Sequence, residues 1–181
     1  MADIRKLSTK EIYEINQKRV VPDHLNRTKI ILHNIRSMYN VGSVFRSADA
    51  FGIGELILTG YTPCPPRPEI SKTALGAEEH VYWSQYDHFE SAREILKAKN
   101  YTFIGIEQTN QSRSLIDYVI DYSQPVAIIM GNEVTGIDQD IMPLIDEFID
   151  IPQYGEKHSL NVSVTAGIVM FSLLEKNLSM K

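Results

Sequence analysis

Short runs of consecutive apolar residues, separated by segments with helical signals, are the feature of this sequence that most constrains its fold. The clearest runs lie within residues 29–33, 55–59, 101–106, 126–130 and 148–151, and residues 80–83 contain a weaker one; several of these segments also include a polar residue, such as Lys29 or Glu55. Runs this short, rich in β-branched residues and without polar alternation are typical of strands that are covered on both faces of a sheet.

Helical signals separate these runs. Ser8 and Glu11 have the spacing of a capping box, so the first helix is expected to begin at Ser8. Asn40 is a favourable N-cap and Gly52 a favourable residue after a helix end, which predicts a helix over residues 41–51. Further helices are predicted from Asp87 or Ser91 to Lys99 and from about Asn161 to Asn177. This alternation predicts an α/β fold, with a mostly parallel sheet and helices on both faces.

The composition is typical of one globular domain. The chain has 181 residues, of which 43% are hydrophobic and 23% are charged, and this is enough apolar material for a core. Cys64 is the single cysteine, which excludes an internal disulfide and is typical of a reducing compartment. The first ten residues are mostly polar and the longest uncharged stretch, residues 159–174, contains polar side chains, so no signal peptide or membrane span is expected. We therefore expect a cytoplasmic protein.

Charge is distributed unevenly along the chain. The net charge is −5, but residues 1–46 hold nine lysines and arginines against four acidic residues. Such an asymmetry can mark one face for a polyanion while the rest of the protein stays acidic. The alternative is that these basic residues only decorate a solvated helix.

Missing motifs exclude several common enzyme classes. No Gly-x-x-x-x-Gly-Lys-Ser/Thr phosphate loop is present, and Gly52-Ile53-Gly54 precedes a predicted strand and lacks the third glycine of a dinucleotide fingerprint. Cys64 has no second thiol at zinc spacing, and no Gly-x-Ser-x-Gly elbow occurs. We therefore expect no P-loop nucleotide hydrolase, Rossmann dehydrogenase, zinc enzyme or α/β-hydrolase, and no metal.

Three polar segments lie at or beside the ends of predicted strands, at the edge where open α/β sheets bind ligands. They are residues 34–52, residues 128–137 and residues 151–163. Each has an ordinary structural interpretation when it is considered alone. Arg46 has Asp49 at ion-pair spacing on its helix, the middle segment has the glycines of a turn, and Ser159 or Asn161 is a suitable cap for the last helix.

Together the three segments resemble the motifs of the SpoU/TrmH family of RNA ribose 2′-O-methyltransferases, within the SPOUT class. The first motif of that family is an Asn, then Asn-x-Gly, then an Arg four residues after this Gly, followed by Ala-Asp-Ala-Phe-Gly. The second motif is Gly-Asn-Glu-x-x-Gly. The third is Ile-Pro-x-x-Gly followed by Ser-Leu-Asn-Val-Ser. The matching positions are Asn34, Asn40, Gly42, Arg46 and residues 48–52, then Gly131, Asn132, Glu133 and Gly136, then Ile151, Pro152, Gly155 and residues 159–163. The resemblance covers roughly residues 28–177, with matching order and spacing.

The resemblance implies the domain organisation, the cofactor and the assembly. It implies a SPOUT methyltransferase domain over residues 28–181, with residues 1–27 as an N-terminal helical extension. It also implies a C-terminal segment threaded into a deep trefoil knot, S-adenosyl-L-methionine as methyl donor, and a homodimer with its active site near the subunit interface. The predicted last helix has almost no polar face, which is expected of a helix buried in a core or an interface.

The resemblance also implies two groups of site residues. The residues that serve the reaction are Arg46, Asn34, Asn40, Glu133, Ser159 and Asn161. Those that line the cofactor pocket are Met130, Gly131, Ile151, Gln153, Leu160 and Ile106. Arg46 is expected to act on the ribose hydroxyl as a base or, because arginine stays charged, as a clamp on the adjacent phosphate. Glu133 is expected to hold Arg46 or the loop, and Gly131 to let the cofactor approach the backbone.

The implied function is methylation of a ribose 2′-hydroxyl in tRNA or rRNA, with tRNA favoured. Two alternatives remain: a non-catalytic RNA-binding protein that retains the SPOUT fold, and a SPOUT enzyme that methylates a base. The intact polar residues of the motifs argue against the first. The Asn/Arg pattern of the first segment and the Ser-Leu-Asn of the third favour ribose over base.

Overall fold

The fold is described by a computed structural model over residues 4–121 and 123–178. Over these residues the α-helices are α1 (Thr9–Asn16), α2 (Asp23–Asn26), α3 (Met38–Phe51), α4 (Pro68–Ala74), α5 (Phe89–Lys97) and α6 (Val162–Leu178). The strands are β1 (Lys29–His33), β2 (Glu55–Thr59), β3 (Trp83–Tyr86), β4 (Thr102–Ile106), β5 (Arg113–Ser114), β6 (Val126–Met130) and β7 (Glu147–Asp150). Short 3₁₀ helices occupy Ala77–Glu79 and Met142–Leu144.

The strands described form one sheet in the order β3-β2-β1-β6-β4-β7-β5, and every pairing is parallel. The chain builds one half from β1 to β3 and then crosses β1 to add β4, β5, β6 and β7 on the other side. Parallel strands end at the same edge of the sheet, so the segments that follow β4, β6 and β7 lie side by side. The prediction of a mostly parallel α/β sheet is confirmed.

Alternate residues of each central strand enter two different cores. Ile30 and Leu32 of β1 pack in the core that contains residues of α3, α4 and α6, whereas Ile31 packs with residues of α5. All three are fully buried. Helices therefore cover both faces of the sheet, as the uninterrupted apolar runs predict.

The N-cap of α3 is Ser37, so the prediction of Asn40 as the cap was wrong. The Ser37 hydroxyl accepts a hydrogen bond from the Asn40 amide at 3.2 Å, and the helix begins at Met38, three residues before the predicted start. Ser37 leaves the Asn40 side chain available for contacts with other segments. The predicted end is confirmed, because Gly52 follows the helix with a left-handed φ of +69°.

Other local signals were partly correct. The capping box of Ser8 and Glu11 is present at the start of α1. The third strand begins at Trp83 rather than His80, because the apolar signal at Val81 comes from a buried side chain in the segment before the strand. Helix α4 was not predicted; it begins at a proline, which the first position of a helix tolerates.

The last helix is apolar on both sides, but only one side is covered. Val162, Ala166, Val169, Met170 and Leu173 are buried against the sheet and α3, whereas Val164, Ile168 and Phe171 are exposed. In the part of the chain that the structure describes, no helix is both long and apolar enough to cross a membrane.

Candidate functional site

A cavity of about 590 Å³ opens at the carboxyl ends of β4, β6 and β7. Its volume falls in the range of small-molecule sites, roughly 300–1,000 Å³. The structure brings together at this cavity all six residues that were predicted for the cofactor pocket: Ile106, Met130, Gly131, Ile151, Gln153 and Leu160. Glu133 and Ser159 also line it.

One wall of the cavity is a tight turn over residues 131–136. Asn132 and Gly136 exchange backbone hydrogen bonds of 2.9 Å in both directions, and the Asn132 side-chain oxygen accepts from the amides of Val134 and Thr135. Gly136 has a left-handed φ of +71°, which favours glycine. The turn is therefore held in shape by its own hydrogen bonds.

A contact within the turn requires glycine at position 131. A Cβ built on Gly131 would lie 2.3 Å from the backbone of Gly136 and from the Ile137 nitrogen. The close approach of the turn to itself therefore excludes a side chain here, while the approach of the cofactor to Gly131 stays a prediction. Sequence alone could not distinguish the two, because both require a missing Cβ.

Glu133 joins the second segment to the first. Its carboxylate accepts hydrogen bonds from the amides of Arg36 (3.0 Å) and Ser37 (3.1 Å) and from the Asn40 side chain (2.9 Å). Partial burial by itself would raise the pKa of the Glu133 carboxyl, but these donors outweigh it and lower the pKa below the usual value. Glu133 is thus an anchored carboxylate that holds the loop before α3, and it does not contact Arg46.

Asn161 joins the third segment to the same network. Its side-chain nitrogen donates to the Asn40 side-chain oxygen at 3.1 Å, while its own oxygen accepts from the amide and hydroxyl of Ser163. Asn161 therefore caps the first turn of α6, as its ordinary structural interpretation predicts, and contacts the first segment as well. The structure brings Glu133, Asn40 and Asn161 into one chain of hydrogen bonds.

Asn34 lies at the end of β1 and supports neighbouring loops. It has a left-handed φ of +56°, and its side chain donates to Asp138 and accepts from the Tyr61 amide at 3.2 Å. Its backbone oxygen accepts from the Asn132 side chain at 2.9 Å. These contacts link β1 to the segments after β2 and β6, and none of them reaches Arg46.

Arg46 lies apart from the cavity. It is exposed on α3, in a second groove of about 550 Å³ with Lys72 of α4. It forms no hydrogen bond or ion pair with any residue that the structure describes, so the predicted alternative of an ion pair with Asp49 is wrong. The Arg46 charge is therefore available to a ligand.

Sequence reasoning missed Gln108 and the contacts that Glu107 makes; both residues directly follow β4. Glu107 accepts hydrogen bonds from the Ile137 amide (3.0 Å) and the Gln108 amide (2.9 Å), so it holds the end of the turn. The Gln108 side chain donates to the His158 carbonyl at 2.8 Å and holds the third segment. Both line the cavity. The available signal was their position, since polar residues directly after a buried strand also mark the other segments.

Known proteins share this sequence pattern. Residues 27–171 match the SpoU rRNA methylase family. The tRNA (guanosine(18)-2′-O)-methyltransferase of Thermus thermophilus is 28% identical over 149 residues, which is 82% of this chain and 75% of that protein. The 23S rRNA (guanosine-2′-O-)-methyltransferase RlmB of Vibrio parahaemolyticus is 28% identical over 174 residues, which is 95% of this chain and 68% of that protein.

The chain spans only part of such relatives. A putative TrmH family tRNA/rRNA methyltransferase of Staphylococcus saprophyticus is 29% identical over 82% of this chain, but the match covers 59% of that protein.

The fold is also found in solved structures. The SpoU methyltransferase AviRb of Streptomyces viridochromogenes superposes with a TM-score of 0.79 at 22% identity, over 86% of this chain and 62% of that one. The same protein in complex with the cofactor AdoMet gives a TM-score of 0.77 at 22% identity, over 83% and 60%. The motifs, their placement at the strand ends and the match over most of the sequence lead to one conclusion. This chain belongs to the SpoU rRNA methylase family.

Proposed function

We propose that this chain transfers a methyl group from S-adenosyl-L-methionine to a ribose 2′-hydroxyl of tRNA or rRNA. The observation that carries the proposal is one cavity that is lined by the second and third sequence segments and joined to the first segment by hydrogen bonds. Glu133 lines the cavity and is joined through Asn40 to Asn161. Relatives that are named as ribose 2′-O-methyltransferases of tRNA and rRNA support the reaction.

The residues of the cavity fit the cofactor. Ile106, Ile151 and Leu160 offer apolar contact for an adenine ring, and backbone groups of the 131–136 turn and the Ser159 hydroxyl offer hydrogen bonds for the polar ends. The cofactor supplies, when bound, an electrophilic methyl group on a positively charged sulfur. A related fold is crystallised with AdoMet, which supports the same assignment here.

Arg46 is proposed to stabilise negative charge during the reaction. Loss of the hydroxyl proton leaves developing charge on the ribose oxygen, next to a phosphate that is already charged. An exposed guanidinium without a partner among the described residues can donate to both groups, and a cation placed next to the developing charge acts mainly in the transition state. Ser159 and Asn161 are proposed to orient the ribose, and Asn34 to fix the surrounding loops.

We infer that the active site is completed in a homodimer, because Arg46 does not line the cofactor cavity of its own chain. Phe51 lines the groove that holds Arg46, and its ring packs against Phe171 of α6 at 6.1 Å between centroids. Val164, Ile168 and Phe171 leave an exposed apolar surface on α6 beside this groove. Pairing of this surface would bury it and place Arg46 near the cavity of a second chain.

The path of the C-terminal segment is proposed to form the deep trefoil knot. After β7 the chain runs past the end of β4, where Gln108 holds His158, and then returns as α6 to pack on α3. A knot requires that this segment be threaded through another loop.

We also propose residues 28–181 as the catalytic domain and residues 1–27 as the extension, although Leu25 of α2 is fully buried in the core. The cytoplasmic location and the preference for tRNA over rRNA stay predictions.

Incubation of the protein with bulk tRNA, bulk rRNA and methyl-labelled S-adenosyl-L-methionine tests the proposed function. We expect label in an RNA fraction and none in a reaction without protein. Binding of labelled cofactor without transfer to either RNA would contradict the proposal and favour a non-catalytic RNA-binding protein.

A further inference from the structure

The groove between α3 and α4 combines two cationic side chains with several hydroxyl groups. This α3–α4 groove is lined by Arg46, Lys72, Phe51 and the three hydroxyl residues Ser43, Ser47 and Thr73. Arg46 is already assigned a role in the proposed reaction, but Lys72 is not used by it. The function described so far therefore leaves a second cation in the same groove without a role.

The packing of α4 on α3 fixes the position of Lys72. A Cβ at Gly42 would lie 2.2 Å from both the Ile70 oxygen and the Thr73 hydroxyl oxygen, so only glycine lets the two helices approach this closely. The Thr73 hydroxyl donates to the Tyr39 carbonyl at 2.9 Å, which ties the last turn of α4 to the first turn of α3. The backbone at Lys72 is thus held beside α3 by the packing of its neighbours Ile70 and Thr73.

The charges of the α3–α4 groove are unopposed. Arg46 and Lys72 are both exposed, and neither forms an ion pair within the described residues. No carboxylate lines the groove, although the chain has more acidic than basic residues and a net charge of −5. A lysine in the last turn of a helix is ordinary by itself. Two unpaired cations in one groove favour a polyanionic ligand.

An exposed aromatic ring lies next to Lys72. The Tyr39 side chain is 48% exposed, and the Lys72 ammonium lies 5.8 Å from the centre of its ring. Proteins recognise unpaired nucleotides by stacking bases on such rings and by contacting the adjacent phosphates with lysine or arginine. A free phosphate or an acidic peptide would use the cations and leave the ring without a role.

We infer that the α3–α4 groove binds the backbone of the RNA substrate, with Lys72 on a phosphate next to the one held by Arg46, and with a neighbouring base stacked on Tyr39. This inference rests on the proposed function, because it takes RNA to be the substrate. It adds residues that extend recognition away from the reacting ribose. Lys72 and Tyr39 act in binding and are expected to leave cofactor affinity unchanged.

Binding of fluorescently labelled bulk tRNA and of labelled bulk rRNA, measured over a range of salt concentrations with the full chain and no cofactor, tests the inference. We expect Lys72→Ala to weaken RNA binding about two- to fivefold at low salt, as for one exposed charge pair. The slope of log affinity against log salt should become shallower by about 0.7–0.9, which corresponds to one lost phosphate contact. Tyr39→Ala should weaken binding without changing this slope, and Tyr39→Phe should bind normally.

Lys97→Ala is the matched control, because Lys97 is also an exposed lysine in the last turn of a helix, but on α5 at the opposite face of the sheet. It should behave as the wild type. If the wild type binds RNA, two results would overturn the inference. One is a Lys72→Ala variant with an unchanged salt slope, and the other is a Lys97→Ala variant that loses as much RNA affinity as Lys72→Ala. A wild-type chain that binds neither RNA would overturn the proposed function together with the inference.

Discussion

The side chain of Asn161 donates a hydrogen bond to the side chain of Asn40 at 3.1 Å, across 121 residues of sequence. This contact joins the start of α6 to the first turns of α3. Because Asn40 also donates to Glu133, a change at any of the three residues removes support from the other two. The three motifs are therefore a single hydrogen-bonded unit in the folded chain.

Arg46→Ala is expected to keep the melting temperature and the cofactor affinity of the wild type, since Arg46 is exposed and has no internal partner. Methyl transfer should fall by roughly 10²–10³, the usual cost of removing one transition-state donor. Arg46→Lys should also be poor, because an ammonium does not reproduce the planar fork of guanidinium donors. Calorimetry and single-turnover transfer measure the two effects separately. An unfolded variant, or one with normal turnover, would contradict this role.

Glu107→Ala is expected to weaken binding of S-adenosyl-L-methionine, because Glu107 holds the amide of Ile137 at the end of the turn that lines the cavity. The loss should be up to about tenfold, the weight of one buried hydrogen bond. Glu107→Gln retains a side-chain oxygen that can accept the same hydrogen bond, so it should lose less cofactor affinity than Glu107→Ala. Isothermal titration checks this, with Gln111→Ala as an exposed control on the same loop. Equal affinities for all variants would show that Glu107 does not shape the cavity.

The lowered pKa of Glu133 makes stability depend on pH. Its carboxylate is held by amide donors in the folded chain and so adds to the free energy of unfolding. This contribution is present above the ordinary glutamate pKa and is lost as pH falls through the lowered pKa of the folded state. Glu133→Gln should therefore show a smaller decrease in unfolding free energy between about pH 5 and pH 3. Urea denaturation at several pH values measures this. If the unfolding free energy of the wild type and of Glu133→Gln changed with pH in the same way, the result would contradict an anchored carboxylate at Glu133.

Phe171→Glu is expected to convert a dimer into a monomer, because it places a charge in the exposed apolar surface of α6. Light scattering should give twice the chain mass of 20.6 kDa for the wild type and the single mass for the variant. Methyl transfer should be lost while cofactor affinity is kept. Ile95→Glu, at a similarly exposed isoleucine on α5, should remain dimeric. A wild-type monomer at micromolar concentration would refute the shared active site.

Local signals in the sequence predicted much of the fold. The strands at residues 29–33, 55–59 and 126–130 have the predicted bounds, because their central residues are apolar and are covered on both faces of the sheet. The cap of α3 was misplaced because Ser37 and Asn40 are both good caps. In the structure Ser37 caps the helix, and the Asn40 side chain donates to Glu133, which is distant in sequence. Two competing local signals could not be ranked from the sequence alone.

The sequence predicted which segments line the cavity, but it did not predict the contacts that each residue makes. The ends of parallel strands must lie together, so the lining could be inferred from strand positions. The separation of Arg46 from that cavity could not, because it depends on where α3 and α4 pack relative to the sheet. The role of Glu107 was hidden for a similar reason, since its partner Ile137 belongs to another loop.

The position of the methyl group in the RNA product tests the central claim most directly. A methyl group on the ribose 2′-oxygen blocks alkaline cleavage of the adjacent phosphodiester, because the hydroxyl that attacks the phosphate is no longer available. Labelled RNA from the wild-type reaction should therefore release its label in alkali-resistant dinucleotides, and the Arg46→Ala reaction should release almost none. Label recovered in single nucleotides with a methylated base would contradict ribose methylation.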